Sequence, residues 1–292
     1  MRKILIAVVA LLCGVAYAAA QDESDHWQPL YDVVDPKLQA LLEQKLISNA
    51  AWRRLVERKK LAVGVVDLGG PGEQPRFARI NGNQMMYAAS LPKIAILLAA
   101  YASFEDGSLA ETPAVHEDLS NMIRVSSNQS ATRVMDMIGM KKIESVMRDP
   151  QFGFYDEASG GGLWVGKRYA SSGPRNGDPL FNISHGATVT QVARFYYQLA
   201  NGHLINAERS AQMLDDLADP GIHHKFVAAL DRRAPLARIF RKSGTWQNWH
   251  SDSVLVQGPS WRNYILVGLV ESPNGETILR DLLPAVETVL HP

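Results

Sequence analysis

Ser90-Leu91-Pro92-Lys93 sets a hydroxyl and an amine three residues apart at the head of an apolar run from Ile94 to Ala100. If the run is a helix, that spacing puts both side chains on one face, one turn apart. A serine hydroxyl becomes a good nucleophile only when a base takes its proton. A lysine serves as that base only when burial or a neighbouring cation lowers its pKa from about 10.4. The apolar run offers the burial, and Lys242 is a candidate for the cation. The chemistry open to such a pair is acyl transfer through a serine ester. Taken alone, Ser-x-x-Lys is equally a capped helix with a lysine in its first turn.

Two further groups have the right residue types to join that pair. Ser126-Ser127-Asn128 falls at a break between two helical patterns, where its side chains can point into a cleft or simply cap the second helix. Lys242-Ser243-Gly244 lies in a strand pattern, where a cation followed by a small residue and a glycine leaves room for a substrate backbone to pair alongside. A sheet-edge lysine beside a bulge would read the same way. Ser272-Pro273-Asn274 repeats the short Ser-x-Asn pattern but looks like a turn after the last strand.

The elements that must position these residues follow from periodicity. Asp35-Pro36 reads as a helix cap and first helical residue ahead of Leu38, Leu41, Leu42 and Leu46. Leu61 to Leu68 and Phe77 to Ile80 form a hairpin, and the apolar run is a buried helix that begins at Ser90. Ala131, Val134, Met135 and Ile138 make a helical stripe that stops at Gly139. Residues 150–185, rich in Gly, Ser and Pro, show no sustained period and are expected to be a long ordered loop. Thr188 or Thr190 caps another helix that stops at Gly202, and a short helix is expected around Met213 and Leu217. Three strands follow, Arg238 to Trp246, Ser253 to Gln257 and Tyr264 to Val270, then a helix from Glu276 to Leu290. Trp246, Trp249 and His250, just past the strand motif, either line a cleft or fill a surface.

The three motifs in this order, on these kinds of element, resemble the Ser-x-x-Lys, Ser-x-Asn and Lys-Thr/Ser-Gly signature of class A β-lactamases and penicillin-binding proteins. The resemblance spans residues 27–292. It implies an α/β fold of the α+β type: an antiparallel sheet flanked by helices and split by an all-α subdomain. Residues 27–87 with 186–292 would form the α/β lobe, and 88–185 the helical lobe with its long loop. It also implies the site roles. Ser90 would be acylated, Lys93 would be the base or its partner, and Ser126 would relay a proton to the leaving nitrogen. Asn128 would hold the substrate amide, while Lys242 with Ser243 would anchor a carboxylate. Gly244 would keep the strand open, and the N–H groups of Ser90 and Thr245 would form the oxyanion hole.

The chain departs from that family in its loop. Class A enzymes release the acyl group with a glutamate in a Glu-Pro-x-Leu-Asn type of segment, and the nearest match here is Asp178-Pro179-Leu180-Phe181-Asn182. Asp178 is then either a shortened substitute or a turn residue before proline. Glu157 and Lys93 are the other candidates for the deacylating base. The linker from Ser90 to Ser126 is also shorter than is usual for class A. Slow deacylation would make the protein a penicillin-binding D-Ala-D-Ala peptidase or esterase, and an exported binding protein without turnover is a third possibility.

Composition bounds the partners. Thirty basic residues balance thirty acidic ones, which removes the electrostatic case for nucleic acid and favours a small β-lactam-like or cell-wall peptide-like substrate. Met1-Arg2-Lys3, an apolar run from Ile4 to Ala18 and small residues to Ala20 have the layout of a cleavable export signal, residues 1–20. That layout implies a periplasmic protein without a stable membrane anchor after cleavage. Cys13, the only cysteine, lies within that segment, so the mature chain has no disulfide. The near-miss to a phosphate loop at 161–168, GGLWVGKR, has Arg168 where a Mg²⁺-holding hydroxyl is needed. His223-His224 lacks metal-ligand spacing, so no cofactor or metal is expected. Nothing in the sequence sets an oligomeric state.

Overall fold

Asp35 accepts a hydrogen bond from the Leu38 N–H at 2.6 Å, and Pro36 opens α1 (Pro36–Ser48), as the cap pattern predicts. The structure is a computed structural model that describes residues 27–292; the export signal read at residues 1–20 lies outside the described residues. After α2 (Ala50–Glu57), β1 (Leu61–Asp67) and β2 (Arg76–Ile80) form the expected hairpin. Next come β3 (Met86–Tyr87) and four helices, α3 (Lys93–Glu105), α4 (Pro113–Arg124), α5 (Asn128–Ile138) and α6 (Met140–Arg148).

The stretch expected to be a long ordered loop carries three short strands, β4 (Tyr155–Asp156), β5 (Gly161–Gly162) and β6 (Trp164–Val165), and leads into β7 (His185–Ala187). β7 is the middle of a small sheet in the order β3-β7-β6, so the loop is tied by backbone pairing to the residues just before Ser90. The remaining elements are α7 (Val189–Ala200), α8 (Ala207–Leu217), α9 (Phe226–Arg233), β8 (Arg238–Trp246), β9 (Trp249–Gln257), β10 (Asn263–Glu271) and α10 (Gly275–Leu290). The sequence pattern missed α2, α6 and α9, and it started β9 at Ser253 rather than at Trp249.

The main sheet runs β2-β1-β10-β9-β8 with every neighbour antiparallel, and β8 is an edge strand. Its two faces feed two apolar cores. Leu61, Val63 and Val65 pack with α1, α9 and α10, while Ala62 and Val66 join α3, α7 and the helical segment. Burial on both faces explains why β1 reads as a continuous apolar run rather than an alternating one. This is the antiparallel sheet flanked by helices, with a largely helical insertion, that the family resemblance implies. Among the described residues no helix is long and apolar enough to cross a membrane.

Candidate active site

The apolar helix begins at Lys93, not at Ser90, and the cause is Pro92. Proline disfavours the α conformation in the residue before it, so Ser90 and Leu91 sit in a turn. The Lys93 N–H donates to the Ser90 carbonyl at 3.2 Å and the Ile94 N–H to the Leu91 carbonyl at 3.3 Å, the tight pattern of a 3₁₀ entry. Ala89, immediately before, holds a left-handed backbone at φ 50°, a conformation that costs a non-glycine residue about 1 kcal/mol or more. Neighbours pin this turn. The Ala88 carbonyl accepts from Ser251 Oγ at 2.8 Å, and the Ala89 carbonyl accepts from Tyr169 Oη at 3.1 Å.

Lys93 is fully buried, and burial lowers its pKa to about 7. Its Nζ donates to the Ser126 carbonyl at 2.7 Å and to Asn128 Oδ1 at 2.8 Å, and lies 3.4 Å from Ser126 Oγ and 4.5 Å from the centre of the Tyr169 ring. The amine thus engages the second motif rather than making a hydrogen bond to Ser90. Ser126 lies between α4 and α5 with φ at 58°, and Ser127 caps α5 by accepting from the Ser130 N–H. Lys242 Nζ, also buried, donates to the same Ser126 Oγ at 2.8 Å. Burial first, then the charge of Lys93, hold the Lys242 pKa well below its usual value.

The third motif closes the far side. A Cβ added to Gly244 would lie 2.2 Å from the Ala88 carbonyl oxygen and 2.6 Å from Ser90 N, so β8 runs against the serine turn at a distance that only glycine permits. As β8 is an edge strand, alternate N–H groups along it have no partner in the sheet. Ser243 Oγ lies 3.3 Å from His224 Nε2. Lys225, which the sequence reading passed over beside the two histidines, is fully buried with φ at 53°. Its Nζ donates to the Gly244 carbonyl, to Thr245 Oγ1 and to the Ser251 carbonyl at 2.7, 2.8 and 3.1 Å, bracing the end of β8 from beneath.

Ser90, Asn128 and Thr245 open onto one cavity of about 720 Å³ whose other walls include Tyr87, Tyr169, His185, Trp246 and Trp249. Trp246 and Trp249 therefore line the cleft, whereas His250 is buried against Gly275. His185 Nε2 donates to the Lys167 carbonyl at 2.9 Å, and burial lowers the ring's pKa to about 4, so it is neutral near pH 7. Nothing in the sequence singled it out. The 161–168 stretch forms β5 and β6 and leads Lys167 into the cavity wall, not into a phosphate loop. Among the described residues no cluster of His, Cys, Asp and Glu is placed to hold a metal ion.

No carboxylate is among the described residues that line this cavity. Asp178 is buried, and its carboxylate accepts from the N–H groups of Leu180, Phe181 and Ile183 and from Tyr155 Oη, so it holds the loop turn before Pro179. Glu157 pairs with Arg148 at 3.1 Å and lines a separate cavity with Tyr31 and Arg194. We therefore expect Asp178→Asn to destabilise the fold by roughly 1–3 kcal/mol, read as a lowered melting temperature. The lifetime of any acyl adduct should change less than about twofold, whereas loss of a general base slows its step about a hundredfold or more.

A family model described as the β-lactamase enzyme family matches residues 110–288, which include Ser126, Asn128 and Lys242 to Thr245; Ser90 and Lys93 precede that stretch. Among solved structures, the chain is similar to a β-lactamase from Sphaerobacter thermophilus at 18% identity and a TM-score of 0.64, with 86% of this chain and 97% of that chain covered. It is similar to PBP-A at 17% identity and TM-score 0.59, with 86% and 97% covered. A class A β-lactamase from Bacteroides cellulosilyticus gives 15% identity and TM-score 0.61, with 88% and 99% covered. No curated protein matches by sequence. At these identities the structural likeness is one of fold, and it agrees with the family match over more than half of the chain. The chain belongs to the β-lactamase enzyme family and is a serine hydrolase of the β-lactamase type.

Proposed function

We propose that the protein is exported, and that it opens β-lactams or related amides through an acyl ester on Ser90. The observation that carries this reading is one hydroxyl, Ser126 Oγ, set between two buried lysines, 2.8 Å from Lys242 Nζ and 3.4 Å from Lys93 Nζ. That arrangement moves protons on both sides of a bond exchange. Neutral Lys93 has two N–H groups, which the Ser126 carbonyl and Asn128 Oδ1 can take, and one lone pair left to receive a proton. Ser90 Oγ bonds to the substrate carbonyl carbon while its proton passes to Lys93. The carbonyl electron pair moves onto oxygen, held by the Ser90 and Thr245 N–H groups. Collapse breaks the carbon–nitrogen bond, the nitrogen takes the Ser126 proton, and Lys93 replaces it. The ester is formed and Lys93 is neutral again.

A second reading, a penicillin-binding peptidase or esterase with slow release, is supported by the lack of a carboxylate among the described residues that line the cavity. Lys93, restored to its neutral form, is then the base left to activate water. A solved mutant of PBP-A is described as an acyl-enzyme complex with penicillin G, and an adduct of that kind is proposed here. Intact-mass spectrometry after mixing with benzylpenicillin tests it. We expect a single added penicillin mapped to the peptide containing Ser90, decaying over minutes or longer. Adduct loss within a turnover of seconds favours a β-lactamase, and no adduct with no hydrolysis removes the proposal.

A further inference from the structure

Resting on that reading, the loop wall of the Ser90 cavity specifies a substrate class. Lys167 and Arg175 are directly opposite each other in an isolated antiparallel bridge, and both line the Ser90 cavity. Like charges directly opposite are destabilising across a strand pair. Neither is neutralised. Arg175 donates to Asn182 Oδ1 at 2.6 Å and to the Asn182 carbonyl, both uncharged groups, and Lys167 Nζ has no carboxylate partner among the described residues. The neighbouring Arg168, by contrast, is paired with Asp136.

The repulsive pair is also held rigidly. The Asn176 N–H donates to the Gly166 carbonyl at 2.6 Å, and the Gly166 N–H to the Ser184 carbonyl at 2.8 Å. A Cβ on Gly166 would fall 1.5 Å from the Asn176 carbonyl oxygen, so the two backbones touch. The Lys167 carbonyl is fixed by His185, and the Arg175 fork by Asn182. Two cations on a firmly held backbone, one of them with its guanidinium also held, in a cavity wall with no carboxylate among its described residues suit an anion.

We propose that Lys167 and Arg175 form an anion subsite for a carboxylate on the acyl portion of the substrate. The β8 end of the cavity, with Thr245 and Trp246, is left to the leaving-group side, whose carboxylate the family resemblance assigns to Lys242 with Ser243. The preferred acyl donors are accordingly dianionic: a β-lactam with a carboxylated side chain, or a peptide amide with an acidic residue next to the scissile bond.

Three penicillins on one skeleton test this, since carbenicillin, benzylpenicillin and ampicillin carry a carboxylate, a hydrogen and an ammonium at the same side-chain carbon. The measurement is the second-order rate of adduct formation at low salt for each, on the full mature chain. Two partly exposed ion pairs give an expected preference of about three- to tenfold for carbenicillin over benzylpenicillin, with ampicillin slowest. Lys167→Met with Arg175→Met should compress that ranking, as should raised salt. Rate ratios are taken within one protein sample, so partial loss of fold does not alter them. A ranking unchanged in the double variant, or ampicillin fastest in the wild type, overturns the subsite while leaving Ser90 acylation intact. Failure of all three either to label the protein or to be hydrolysed by it removes the acyl-enzyme reading and the subsite with it.

Discussion

Ser90→Ala is expected to leave no penicillin adduct under conditions that label the wild type fully, a loss of about a thousandfold or more in acylation rate. The size follows from what remains. Lys93 and Lys242 are ammonium and amine groups buried away from the cavity surface, and Ser126 is held by both, so no second hydroxyl faces the cavity in the same setting. The substitution should be mild for the fold. Ser90 is half-buried and its hydroxyl makes no hydrogen bond to any described residue, so the change in stability is expected within about 0.5 kcal/mol. Circular dichroism and melting temperature check that point, and intact mass checks the adduct. Equal labelling of both proteins would mean that another residue is the nucleophile.

The second large effect belongs to Lys93. Lys93→Met should reduce acylation by about 10²–10⁴, the usual worth of a positioned base. Lys93→Arg should fare no better, because a guanidinium stays protonated and cannot accept the serine proton. The wild-type pH profile carries the sign. Burial brings Lys93 down to about 7, so the amine is charged and idle below that pH and free to act above it. Acylation should rise tenfold per pH unit at acid pH, bend near 7 and level off above it. A rate independent of pH between 5 and 9 would exclude Lys93 as the base. Burial of the charged form also has a folding consequence. The folded-state pKa lies below the unfolded value, so the penalty is full below about pH 7 and fades as pH rises toward 10.5.

Much of the framework is legible in local signals because it depends on local chemistry. Asp35 and Thr188 cap helices as their types predict, Gly139 ends α5 at φ 80°, and β8 has the bounds that its pattern sets. The three motifs do meet, since Ser126 Oγ joins Lys93 to Lys242 and Gly244 abuts Ser90. Pro92 was visible, and its effect on the preceding turn is the part of the helix start that the periodicity obscured. What was hidden is tertiary. α6 follows α5 across the single residue Gly139 and has no side-chain cap to announce it, although Ile143, Val146 and Met147 form its buried stripe. β4 to β6 are two residues long, too short for any alternation to register. Lys225, His185 and the facing pair Lys167 and Arg175 gain their meaning from neighbours between 8 and 26 positions away along the chain, which no spacing rule reaches.

The main sheet splices the first and last parts of the chain, since β1 pairs with β10 along its whole length, Leu61 opposite Val270 and Asp67 opposite Tyr264. Ser90 precedes α3, Ser126 lies between α4 and α5, and Lys242 comes from β8, so the two lysines that hold the Ser126 hydroxyl come from the middle and the last parts of the chain. If benzylpenicillin acylates Ser90 as proposed, adduct formation would count the molecules in which these parts have come together, a readout suited to following refolding.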